Sequence, residues 1–184
     1  MKQMEKYIAL LRGINVSGQN IIKMADLRFI LEELNFNNIK TYIQSGNVIF
    51  ENKIENPTDI EDKMRKVIFK HFGFHVKIIV KTLSELESIV ARNTFLLDDN
   101  KEMKHICVTF LSDIPKEENA AILKTVKHDD EEYFLDGKNI YLYAPNGFGR
   151  AKLTNNLFEK KLKVNATTRN CKTINKLIEI AKGK

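Results

Sequence analysis

The 184-residue sequence predicts an α/β (α+β) protein of two small ferredoxin-like halves packed together, with mixed or antiparallel sheets and helices. Three observations carry that expectation. Over the first half, strand-like and helix-like apolar spacings follow the order strand, helix, strand, strand, helix, strand. Most of that order recurs in the second half, with a final helix where the last strand would be. The composition, 43% hydrophobic and 29% charged, is that of a globular chain long enough for two small domains. The expected division is a first half over residues 1–97 (βαββαβ plus a helix) and a second over 98–184 (βαββα plus a basic C-terminal helix).

Tyr7 to Leu11 is an unbroken apolar run that reads as a strand buried on both faces. Arg12 to Lys23 is a polar, glycine-containing connection. Met24, Leu27, Ile30, Leu31 and Leu34 recur at helical spacing and predict a helix to about Asn35. Ile39 to Gln44 alternates as a strand, Ser45-Gly46-Asn47 supplies turn chemistry, and Val48 to Glu51 returns as the second arm of a hairpin. Thr58 and Glu61 have capping-box spacing ahead of the apolar face Ile60, Met64, Val67, Ile68 and Phe72, which Gly73 stops. Val76 to Lys81 is a strand. Ser84 and Glu87 form a second capping box, for a short helix to about Ala91.

Asn93 to Lys104 is polar and aperiodic, the best linker in the chain. Beyond it, His105 to Leu111 is a strand, and Pro115 to Val126 is a helix with Ala120, Ala121 and Leu123 inward. Tyr133 to Tyr143 is a hairpin turned at Asp136-Gly137. Leu153, Leu157, Phe158 and Leu162 mark one more helix, and Ile174, Leu177, Ile178 and Ala181 the last. The acidic run His128-Asp129-Asp130-Glu131-Glu132 reads as a solvated loop, because consecutive carboxylates converge poorly on one ion.

Charge is unevenly distributed. From Pro145 to Lys184 there are ten Lys and Arg against two Glu, a surplus of eight, whereas the preceding residues sum to −2. Such asymmetry points to an acidic partner, a phosphate-bearing small molecule, a nucleic acid or an acidic protein, with a lysine-rich solvated surface as the alternative. Apolar runs fall far short of the ~18 residues of a membrane span, so no membrane association is expected and a cytoplasmic location is. Cys107 and Cys171 lie far apart without ligand-spaced neighbours, and the four histidines show no pairing motif. No metal site and no cofactor are expected, and the sequence leaves monomer and homodimer open.

Three polar segments are the candidates for chemistry. Ala166 to Asn170 reads as the start of the final helix, where backbone N–H groups lack partners and the dipole favours an anion. Thr168 is the expected N-cap, which leaves Thr167, Arg169 and Asn170 for a ligand, with Arg169, Lys172 and Lys176 on the helix side opposite its apolar face. The second segment, Arg12 to Gly18, follows a buried strand, so Arg12 and Asn15 would stand at the rim of a sheet crevice. It lacks the ending and spacing of a P-loop. The third is the turn Gln44-Ser45-Gly46-Asn47. Ser45 lies outside any nucleophile-elbow motif and between strands, so a ligand contact suits it better than a catalytic role. Aromatic residues that could stack on RNA from a ferredoxin-like sheet are Tyr42, Tyr141 and Tyr143, without the RNP pattern.

Together these segments carry a resemblance to the bacterial domain-of-unknown-function family 1697. The residues that carry it are Leu10-Leu11-Arg12-Gly13-Ile14-Asn15-Val16 with Gly18, Thr41-Tyr42-Ile43-Gln44-Ser45-Gly46-Asn47-Val48, and Ala166-Thr167-Thr168-Arg169-Asn170 with Thr173. The resemblance implies a cytoplasmic protein of two ferredoxin-like halves and no established activity. It also implies a Gly where Ser17 stands and a Trp where Cys171 stands. The helical pattern puts Cys171 on the packed face.

The functional expectation is a binder of an anionic ligand, nucleotide-like or a nucleic-acid backbone, without a recognisable catalytic motif. Its ligand set is Arg12, Asn15, Gln44, Ser45, Asn47, Thr167, Thr168, Arg169, Asn170, Lys172 and Lys176. An enzyme using the same polar residues, or a structural or interaction module in which they are turns and caps, are the alternatives.

Overall fold

The computed structural model describes residues 3–126, 128 and 130–183. The chain forms two compact units, Met1–Glu87 with Lys176–Lys184, and Ser88–Asn175. The sequence expectation drew the division at 97/98 and assigned the last helix whole to the second half. From Lys176 on, the described residues of the last helix instead pack with the first unit: Lys6 Nζ donates to the carbonyl of Ala181 at 2.8 Å, closing a helix C-terminus with a cation.

The first unit begins with β1 (Met4–Arg12), α1 (Met24–Glu32), β2 (Asn37–Tyr42) and β3 (Asn47–Lys53). It continues with α2 (Pro57–Phe72) and β4 (Lys77–Thr82), and α3 (Leu83–Ala91) follows directly. The four strands pair antiparallel in the order β2-β3-β1-β4. That order answers the alternation in the sequence. Tyr7, Ala9 and Leu11 of β1, Val48 and Phe50 of β3, and Ile78 and Val80 of β4 share one face. They pack with Leu27, Ile30 and Leu31 of α1 and Ile60, Met64 and Ile68 of α2. Ile8 and Leu10, on the other face of β1, are buried as well, as the unbroken apolar run requires.

The second unit contains β5 (Ile106–Leu111), α4 (Glu117–Lys124), β6 (Glu132–Asp136), β7 (Asn139–Tyr143), α5 (Asn155–Leu162) and β8 (Ala166–Asn170). α6 (Cys171–Lys182) follows. Its strands are again antiparallel, in the matching order β6-β7-β5-β8. Cys107, Leu111, Ile140 and Leu142 face Leu123 of α4 and Phe158 and Leu162 of α5. Ala121, expected inward, is exposed, and only Leu123 of α4 is buried.

β8 is the main correction to the sequence reading. Residues 166–170, read as the first turn of a helix, are a five-residue strand paired with β5 from Cys107↔Asn170 to Leu111↔Ala166. Each repeat is therefore a complete βαββαβ followed by a helix. The two capping boxes also shift. α2 is capped by Asn56, whose Oδ1 accepts from Thr58 N at 3.0 Å. Glu61 instead reaches sideways to accept from the N–H of Val80 on the edge strand β4, at 2.9 Å. The second box is Thr82 with Glu85, not Ser84 with Glu87: Glu85 N donates to Thr82 Oγ1 at 3.1 Å, and Thr82 N to Glu85 Oε2 at 2.8 Å. Gly73 ends α2 at φ +75°, the left-handed stop its position predicts.

The acidic run is only partly within the described residues; Asp129 lies outside them. Glu131 accepts from the backbone N–H groups of Lys152 and Leu153, at 2.6 and 2.9 Å, so part of that run ties down the segment before α5. Among the described residues no helix is long and apolar enough to cross a membrane, and no group of His, Cys, Asp and Glu is placed to hold a metal ion.

Candidate functional site

In the first unit, two of the polar segments meet. Asn15 Nδ2 donates to the carbonyls of Ile22 and Gln44, both at 2.8 Å, and its Oδ1 accepts from Ile22 N at 2.8 Å. One side chain thus closes the 13–22 loop on itself and ties it to the β2–β3 turn. The loop needs such a clamp. Gly13, Asn15, Ser17, Gly18 and Asn20 all have positive φ, a conformation that Gly and Asn tolerate and Ser adopts at a cost. At Ser17, where the resemblance implies Gly, φ is +50°, so the loop is left-handed there without a glycine.

The turn is held equally closely. Leu11 N donates to Gly46 O at 2.8 Å. A Cβ at Gly46 would fall 2.7 Å from Leu11 Cβ and 2.8 Å from Ile14 Cδ1, and φ there is +75°. Both demands require glycine. Asn47 is fully buried, and its Nδ2 donates to Tyr42 O at 3.1 Å and Ser45 Oγ at 3.0 Å. The Ser45 hydroxyl thus accepts a hydrogen bond from the Asn47 amide. The exposed members of this cluster are Gln44 and Ile43. Ile43 is 50% exposed with φ +50°, an outlier for a β-branched residue. Arg12 ends β1 half-buried, as expected for a residue at the strand rim.

In the second unit, the third segment has a different geometry from the one read in the sequence. Thr168 is not an N-cap. It lies in β8 opposite Thr109, within hydrogen-bond distance of its hydroxyl at 2.6 Å, and donates to Asn155 Oδ1 at 2.7 Å. The cap is Asn170, whose Oδ1 accepts from Thr173 N at 2.7 Å. Arg169 projects from β8 opposite Val108, on the sheet face away from α4 and α5, and so does not belong to a basic helix side. Its Nη1 donates to Thr167 Oγ1 at 3.1 Å and to Thr168 O at 3.0 Å. Burial pulls the guanidinium down to about 10. Lys172 and Lys176 are exposed on α6, and Lys176 Nζ pairs with Glu179 at 2.8 Å, which raises its pKa.

Cys171 opens α6 fully buried, on the packed side that the helical pattern indicated. Cys107 and Cys171 are both free thiols, and burial pushes each to about 12. Of the tyrosines considered for base stacking, Tyr141 is fully buried and donates to Ile89 O at 3.1 Å, so it offers no ring to a ligand. Tyr143 already carries an ammonium over its ring, that of Lys101 at 4.4 Å.

The structure also shows groups the sequence did not mark. Glu159 accepts from Ala166 N at 3.0 Å on the edge strand β8, as Glu61 does on β4. The Asn139 side-chain oxygen is buried without a hydrogen-bond partner. Asn139 opens β7 just as Asn47 opens β3, and that correspondence was the available signal.

Three comparisons bear on identity. A family model described as "Protein of unknown function (DUF1697)" matches residues 4–141, a span that takes in the first two motifs and stops short of the third. No protein with a curated description matches the chain. Among solved structures, a conserved bacterial protein from Streptococcus pneumoniae superimposes with a TM-score of 0.70 at 23% identity, covering 97% of this chain and 99% of that one. At that identity the likeness establishes the shared fold.

Proposed function

The chain belongs to the DUF1697 family, whose function is not known, and from that premise we propose that it binds an anionic ligand, a nucleotide-like phosphate or a nucleic-acid backbone, through Arg169 and Lys172. The observation that carries the reading is the setting of Arg169. Its guanidinium has been drawn out of water, which is why its pKa falls to about 10. A desolvated cation gains more from an incoming anion than a solvated one does, because the interaction is less screened. Guanidinium geometry suits a phosphate, with two N–H groups directed at two oxygens. Lys172 stands exposed three residues on.

Asn15, Asn47 and Thr168 receive no ligand contact in this reading. Their hydrogen bonds to the protein favour a second role for the first two segments, as a lock that gives the 13–22 loop one conformation. Lys176 contributes less than Lys172, because Glu179 already faces it.

Calorimetric titration with pyrophosphate, and anisotropy of a labelled single-stranded oligonucleotide, test the proposal. Arg169→Gln is expected to weaken binding by roughly 10-fold or more, the scale of a charge-assisted hydrogen bond. Asn15→Ala is expected to lower stability with little change in affinity at a temperature where it remains folded. Affinity for the oligonucleotide is expected to fall steeply with salt. Equal binding by the wild type and Arg169→Gln defeats the proposal.

A further inference from the structure

The segment between α3 and β5, inside the second unit, holds an arrangement that anion binding does not use. Lys101 Nζ lies 4.4 Å from the ring centroid of Tyr143 and 5.6 Å from that of Phe95. The same nitrogen is 2.6 Å from Glu132 Oε1 and 3.5 Å from Asp98 Oδ2. Two π faces and two carboxylates therefore surround one ammonium, and the Lys101 side chain is only 13% exposed.

Several of the wall residues have anchors besides the lysine. Glu132 and Tyr143 are register partners on β6 and β7. Phe95 packs edge-on against Phe134 at 5.3 Å, and Phe134 stacks on Tyr141 at 4.5 Å. Asn93 fixes the turn carrying Phe95 by accepting from its N–H at 3.2 Å. Asp98 is held by Asn100, which donates to it from its backbone and its side chain at 3.0 and 3.1 Å. Lys101 sits, with Asp98, on the short irregular segment between two single-turn 3-10 helices, Thr94–Leu97 and Met103–His105. The cage thus joins two strand residues, Glu132 and Tyr143, to Phe95 and Asp98 from the segment that also carries Lys101.

We propose that Phe95, Tyr143, Asp98 and Glu132 form a binding site for a small primary alkylammonium ligand, and that Lys101 occupies it as an internal stand-in which such a ligand displaces. The carboxylates set the class. Glu132 accepts a hydrogen bond from the ammonium, so the site selects a nitrogen that carries N–H donors over a quaternary one. The rings accept the alkyl stem, as they accept that of Lys101.

The test uses the full chain and two probes, n-propylammonium and tetramethylammonium chloride, against sodium chloride at equal ionic strength. Lys101→Ala is expected to melt below the wild type and to recover saturably with propylammonium, and more weakly with tetramethylammonium. Adding Tyr143→Leu to that variant is expected to abolish the recovery. In the wild type, propylammonium is expected to shift the Phe95 and Tyr143 ring resonances saturably, with the Lys101 methylene signals moving toward those of a solvated lysine. This second readout serves even where Lys101→Ala does not fold. Absence of saturable ring shifts in the wild type, or recovery that persists without Tyr143, overturns the proposal.

Discussion

The two repeats share a backbone frame and differ in how they treat their polar groups. Asn47 opens β3 opposite Leu10, and Asn139 opens β7 opposite Phe110. The residue before each asparagine accepts a backbone bond of 2.8 Å from the equivalent leucine, Leu11 to Gly46 and Leu111 to Lys138. Yet Asn47 spends its amide on Tyr42 and Ser45, whereas the Asn139 oxygen is buried with no partner. The last strands diverge in the same sense. Where β1 and β4 align Ile8 with Lys81, β5 and β8 align Val108 with Arg169. Lys81 lies within 3.8 Å of Glu85, while Arg169 donates to the Thr167 hydroxyl and the Thr168 carbonyl. The first repeat closes its polar network locally around a constrained loop. The second keeps a buried amide oxygen without a hydrogen-bond partner, and it is the repeat to which the proposed binding is assigned.

Alkaline pH is expected to separate the repeats most. Both cysteines fall in the second, and both thiols are raised to about 12. The folded chain keeps protons that an unfolded chain releases above about pH 8.5, so stability is full below that pH and falls as pH rises toward 12. The loss approaches about 1.4 kcal/mol per pH unit for each thiol. Denaturant melts between pH 8 and 10.5 check this, and Cys107→Ala is expected to flatten the slope. A pH-independent midpoint contradicts it.

Gly46→Ala comes next. The new Cβ meets Leu11 and Ile14 under 3 Å in a left-handed backbone, so a loss of about 3 kcal/mol is expected. Gly137→Ala, also left-handed at φ +56° but with open space around it, is expected to cost only about 1 kcal/mol. Urea midpoints of the two variants measure the difference, and equal losses would remove the steric argument.

Asn47→Ala and Asn139→Ala sharpen the comparison directly. The first removes a buried donor and leaves Tyr42 O short of a partner, about 1–3 kcal/mol. The second removes an oxygen whose desolvation was never repaid, and the expected change is under about 1 kcal/mol. The smallest effects are the helix caps. Thr82→Ala and Asn170→Ala each remove a side-chain acceptor for the N–H three residues on, and each is expected to cost about 1 kcal/mol. Near-equal values show that the frame itself is shared.

Most of this frame was legible in the sequence because helix and strand periods record burial. Tyr7 to Leu11 is apolar without a break and is buried on both faces, and Gly73 stops α2 where glycine should. The strand β8 was hidden because Ala-Thr-Thr-Arg-Asn has the polarity of a helix cap. Its two β-branched threonines also suit a strand, and only the pairing with Thr109 decides between the readings. Asn15 was singled out as a ligand contact, and its side chain bonds instead to the backbone of Ile22 and Gln44. Its bond to Gln44 spans 29 residues, and no local pattern encodes that contact. The Lys101 cage was obscure for the same reason. Phe95, Lys101, Glu132 and Tyr143 come from a connecting loop and two strands, and the linker composition of residues 93–104 masked the first two.

The setting of Arg169 is the central claim, and its own side-chain signal is the direct test. In the wild-type protein, the Nε–H resonance of Arg169 should shift saturably as pyrophosphate is added, with Arg92 of the same unit unmoved. A stationary Arg169 resonance at saturating pyrophosphate would contradict the account.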